Sequence, residues 1–123
     1  MAKQIGFLLL VASIAALTPS AQAQKAEKIN VTGYLIDSLC ASQHLEDADP
    51  TVFAKSHTRA CALKCADSGY GVLTTNEYYE FDEEGNKLAK ALLEASRKKK
   101  GVMVVAVGTL EDDVLKVMSL KER

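Results

Sequence analysis

The chain has 123 residues, 15 basic and 16 acidic, for a net charge of −1, and nearly half of it is apolar. Such a length holds one small domain once any leader is set aside, and not two. The balanced, interspersed charges exclude the basic composition of a nucleic-acid-coating protein, so no nucleic-acid partner is expected.

The first segment has Lys3, an apolar run over 5–17, and small residues at Ala21 and Ala23. This is the pattern of a secretory signal peptide cleaved after Ala23. The run is too short for a hydrocarbon core of ~30 Å, which takes about 20 residues, so no membrane association is expected after cleavage. Residues 24–123 then form a single periplasmic or secreted domain with 14 basic and 16 acidic residues, because only Lys3 is lost. Outside the cytoplasm cysteines meet oxidising conditions. There are three, Cys40, Cys61 and Cys65, so one pair leaves one over.

"KINVTGYLID", 28–37, alternates as a strand. In "DSLCASQHLEDADP" Asp37 or Ser38 can cap a short helical turn, and Pro50 suits a helix start. The residues of 51–67 favour helix, with Gly69 as its stop. "YGVLTT" and "EYYEF" read as short strands joined by a tight turn near Asn76. A helix over 86–99 is expected, capped by Asn86 and carrying Leu88, Ala91, Leu92 and Ala95 on one face. Its end holds "RKKK", cations that oppose the negative end of a helix dipole. "GVMVVAVGTL" is the most apolar strand, and "EDD" turns it into "VLKVMSL".

Five short strands with a helix between the third and fourth is the order of an OB-like barrel. The expected fold is therefore mainly β with helices (α+β): a small five-stranded OB-like barrel with a helical, Cys/His-bearing insertion between strands 1 and 2. A plain α+β sandwich is the competing architecture. Gly33, Gly101 and Gly108 are candidates for relieving crowding where barrel strands bend.

"VTGYLIDSLCA", "HTRACALKCADSGYGVL" and the closing strand pair resemble a family of small exported bacterial OB-fold-like domains of unknown function. Members share D-S-x-C after the first strand and H-x3-C-x3-C before the second. The resemblance spans nearly all of 24–123 and implies the barrel and export. It implies no activity.

The chemistry-bearing residues lie in the insertion. Positions i and i+4 share a helix face about 6 Å apart, so His57 with Cys61, or Cys61 with Cys65, can grip one ion. All three on one straight helix is harder, because His57 and Cys65 stand about 12 Å apart along its axis. Cys40 and His44 repeat the spacing. Two such pairs facing each other make a tetrahedral site for Zn(II) or, through thiolates, Cu(I). The candidate metal residues are Cys40, His44, His57, Cys61 and Cys65, with Cys40, His44 and Cys61 as the best set and Cys65 or His57 as the fourth. A disulfide from Cys40 to Cys61 or Cys65 is the structural alternative, closing a loop worth a few kcal/mol. In that case the chain is a stapled binding module for a protein or small ligand. A thiol redox enzyme is the third reading, with Lys64 favouring a thiolate nearby. The carboxylates of "DEEG" and "EDD" sit at turns without calcium-loop spacing, and the four tyrosines suit strand packing better than base stacking. The reading chosen is an exported, non-catalytic domain that binds Zn or Cu.

Overall fold

The computed structural model describes residues 26–123, together with Ala15 and Ala16; the expected leader and its cleavage site lie outside the described residues. In order come β1 (Lys28–Asp37), α1 (Ser38–Ser42), α2 (Thr51–Ser56), α3 (Arg59–Lys64), a 3₁₀ turn (Ala66–Ser68), β2 (Tyr70–Leu73), β3 (Tyr78–Phe81), α4 (Glu83–Ala95), β4 (Met103–Glu111) and β5 (Val114–Glu122). The strands close into a five-stranded barrel in the order β1-β2-β3-β5-β4, the OB-like architecture expected, with α1–α3 inserted between β1 and β2.

Closure depends on β1 serving two neighbours. Its first part pairs with β4 and its last residues, from Tyr34 to Asp37, with β2. Gly33 sits at the handover, where an added Cβ would lie 2.5 Å from the Leu73 carbonyl oxygen. Gly108 marks a bulge between β4 and β5, and a Cβ there would collide with the Lys116 carbonyl. The extra residue is Met118, left unpaired on β5, and it bends that strand so that the pair follows the barrel wall. The last seam, β3 with β5, is parallel and only two residue pairs long. Asp82 extends it: its amide donates to the Leu115 carbonyl (3.1 Å), and its Oδ1 accepts from Val117 N (3.1 Å) and Gly85 N (2.9 Å).

That last bond makes Asp82 the cap of α4, so the helix spans Glu83–Ala95 and not 86–99. Starting earlier, it turns Gly85, Ala89 and Leu93 inward and leaves Leu88 on the surface. Asn86 accepts the Tyr70 amide at 2.8 Å instead of capping. The run 97–100 falls beyond the helix, so its cations do not sit in the last turn as expected. Two apolar clusters result. The barrel interior holds Leu35, Tyr70, Val72, Phe81, Val104 and Leu115 with Leu93 of α4. A smaller one on the outer face joins Ile36 and Leu73 to Ala41 of α1 and Ala54 of α2, fixing the insertion against β1 and β2. Burying these faces removes apolar surface from water at roughly 25 cal/mol per Å².

The single helix expected over 51–67 is broken. His57 and Thr58 are extended (ψ 126° and 147°), and Thr58 Oγ1 accepts from Cys61 N at 3.0 Å, capping α3. The segment ahead of β4 holds the break open. Gly101 N donates to the His57 carbonyl (3.0 Å), Arg59 N donates to the Lys99 carbonyl (2.9 Å), and Thr58 bridges Lys100.

Candidate metal centre

Each donor reaches the site for a local reason. β1 ends in Asp37, whose backbone still pairs with Tyr70 of β2 and whose Oδ2 accepts from Cys40 N (2.9 Å). That bond caps α1 and places Cys40 one turn on, above the carboxylate. His57 comes from the break between α2 and α3. Its Nε2 lies 3.1 Å from Asp37 Oδ1. One donor atom from each of Asp37, Cys40 and His57 falls within 4.8 Å of the other two.

Asp37 is fully buried and His57 is 8% exposed. At that separation the two groups face each other as a buried carboxylate–imidazole pair, and neither Asp37 Oδ1 nor His57 Nε2 has any other hydrogen-bond partner. Two such atoms turned toward each other, with a sulfur beside them, match the donor arrangement around a metal ion. Metal–ligand lengths of ~2.0–2.3 Å put tetrahedral donors about 3.3–3.8 Å apart, a range these atoms can occupy with little movement.

Protonation states suit the same use. Burial holds the His57 pKa below its ordinary value, against the opposing pull of Asp37. Neutral imidazole is the metal-binding form. Burial, then the Asp37 carboxylate beside it, pushes the Cys40 thiol up to about 12. It is a thiol at neutral pH, and an incoming metal must displace its proton. Such a group is a poor nucleophile, which argues against redox chemistry at Cys40.

Of the five residues picked out by spacing, Cys40 and His57 meet in this cluster. The expected facing of His57 and Cys61 on one helix is lost at the break. His44 lies past the end of α1, so it shares no helix face with Cys40. Its Nδ1 pairs with Asp47 (2.7 Å), and its ring stacks on Phe53 (3.7 Å between centroids), which in turn stands edge-on to His57 (5.3 Å). Cys61 is exposed and Cys65 partly buried. The disulfide is corrected: Cys40, Cys61 and Cys65 are all free, and Cys40 faces Asp37 and His57 instead of another sulfur. Asp37 is the residue that spacing missed. It was visible only as a cap, and the buried position ending β1 is the signal that it does more.

The chain matches no model of a protein family, no curated protein and no solved structure at a significant level. The functional reading therefore rests on the site.

Proposed function

We propose that the domain binds one metal ion through Asp37, Cys40 and His57, as an exported, non-catalytic metal-binding module. The observation that supports this most is the buried convergence of three donors within 4.8 Å, in which Asp37 Oδ1 and His57 Nε2, 3.1 Å apart, bond to no other group. One oxygen, one nitrogen and one sulfur is a borderline donor set that suits Zn(II); Cu(I) prefers sulfur alone. Three protein donors leave the fourth position of a tetrahedral ion to water or a small ligand. Among the described residues no helix is long and apolar enough to cross a membrane. Reading residues 1–23 as a cleaved leader makes Gln24 the expected N-terminus of the exported chain.

The test is competition titration of that reduced, metal-free chain with Zn(II). One ion per chain is expected, with one proton released from the Cys40 thiol, so affinity rises about tenfold per pH unit above neutrality. Asp37→Asn, Cys40→Ser and His57→Gln should each weaken binding by about 100-fold or more, beyond the usual effect of an outer-shell partner. Asp37→Asn matters most, because an asparagine oxygen still caps α1. Undiminished Zn(II) binding by Asp37→Asn and His57→Gln together would remove this reading.

A further inference from the structure

Cys61 and Cys65 lie outside the trio, yet they sit on a segment that begins beside His57 and is hydrogen-bonded at its far end to the turn of Cys40. α3 starts at Thr58, next to His57, and Cys61 N donates to the Thr58 side chain at 3.0 Å. At the other end Cys65 N donates to the Cys61 carbonyl (3.1 Å), so the two cysteines are one turn apart. Side chains at that spacing stand about 6 Å apart and can share one ion. The Cys65 carbonyl accepts from Ser68 N (3.0 Å) and Ser68 Oγ (2.8 Å). Ser68 Oγ in turn accepts from Leu39 N at 3.2 Å, and Ser38 N donates to the Gly69 carbonyl at 2.8 Å. The turn carrying Cys65 is thus bonded directly to the turn carrying Cys40. A helix of six residues is only about 9 Å long, and Cys65 caps its far end, so one short element joins the two thiols to the break at His57.

Exposure falls along the same path. Cys61 is exposed, Cys65 and Cys40 are partly buried, and His57 and Asp37 are buried. Resting on the metal-binding reading above, we propose that Cys61 and Cys65 are the loading site for Asp37, Cys40 and His57, taking a thiophilic metal ion from solution or from a chelating donor and passing it inward by ligand exchange. One exchange forms the metal–sulfur bond to Cys40 as the bond to Cys65 breaks; in the other, His57 Nε2 and Asp37 Oδ1 replace Cys61, whose thiolate regains from solvent the proton it gave up on binding the ion. The proton leaving the Cys40 thiol is taken by the departing Cys65 thiolate, and no electron moves. The physical gain is kinetic. A hydrated or chelated ion must shed ligands before it reaches a buried pair, and an exposed dithiol replaces them one at a time.

The experiment follows transfer of Zn(II) from its coloured complex with 4-(2-pyridylazo)resorcinol to the reduced, metal-free full chain by stopped flow, alongside the equilibrium affinity. The Cys61→Ser/Cys65→Ser variant should keep the wild-type affinity within about threefold and slow transfer at least tenfold. Each single variant should fall between, which guards against misfolding of the double one. An unchanged transfer rate overturns the proposal. A tenfold or larger loss of affinity also overturns it, because the two thiols are then part of the final shell. Failure of the wild-type chain to bind Zn(II) removes the underlying reading as well; either of the first two results leaves that reading standing.

Discussion

Asp37 uses its two oxygens differently, and the difference sets the pH behaviour of the site. Oδ2 is committed to the Cys40 amide, while Oδ1 faces the imidazole of His57 and bonds to no other group. In the folded, metal-free chain burial lowers the His57 pKa, whereas in the unfolded chain it titrates near 6.5. The unfolded state therefore takes up the proton first as pH falls. Stability from this group is complete above about 6.5 and is lost below it, through the folded value. Asp49, whose carboxyl is lowered by its bonds to Thr51, adds a dependence only in the carboxylate range. Urea midpoints of the metal-free protein should hold steady from pH 8 to 7 and drop between 6.5 and 5, with His57→Gln flattening that drop. Equal slopes for the two proteins would show that another group controls it. Residue type made Cys40 and His57 legible, because few side chains bind metals, whereas the spacing pointed to Cys40 with His44 and His57 with Cys61. Asp37 was hidden by its ordinary role: an aspartate before a serine at a strand end reads as a cap, and it is one. Only the return of the chain at His57 reveals the second oxygen.

At the scale of elements, the barrel was legible and the kink was not. β4 stands out because it pairs on both sides and alternates buried residues from Val104 to Gly108. The β4–β5 hairpin was legible from "EDD", and Asp112 and Asp113 both take positive φ (49° and 64°), as a two-residue turn of this twist requires. The break at His57 and Thr58 left no comparable mark, since every residue near it tolerates helix. It arises from pairing with Lys99, Lys100 and Gly101, contacts that lie far along the chain. The one local clue is Thr58 itself, a good cap followed three residues on by the amide it accepts. Thr58→Ala should therefore cost about 1 kcal/mol of stability, the usual value of such a cap, and Thr58→Ser almost none. Denaturant curves decide it. No loss in the alanine variant would assign the kink entirely to the backbone bonds from 99–101.

Over the whole molecule, α1, α2 and α3 are fastened to a barrel that does not need them for its own closure. The barrel core takes in Ala62 of α3, whereas the apolar contacts of α1 and α2 center on Ile36, Ala41, Ala54 and Leu73. Charge is also divided along the structure. Glu80, Asp82, Glu83 and Glu84 gather near the hairpin 111–113, because Glu80 pairs with Val114. The cations of 97–100 lie at the other end, where Lys98 reaches the Arg123 carbonyl at 2.7 Å and Arg59 meets Lys99. Zn(II) has two places to go, the buried trio or the acidic end, and hydrogen exchange separates them. In metal-free protein, amides of β4 should be the slowest, opening only with global unfolding, while those of α1 and α3 open locally and exchange faster. An ion held by Asp37, Cys40 and His57 must leave before α1 or the α2–α3 break can open. At a free concentration 100 times its Kd it then adds about 2.7 kcal/mol to that opening, or roughly 100-fold slower exchange at Cys40, Cys61 and Ala62. The β4 amides slow by the same factor, because global unfolding also destroys the site. An ion held at 111–113 gives a different signature, slowing β4 and the hairpin while α1 and α3 keep their metal-free rates. Unchanged exchange at Cys40 in the presence of saturating Zn(II) would place the ion away from the trio.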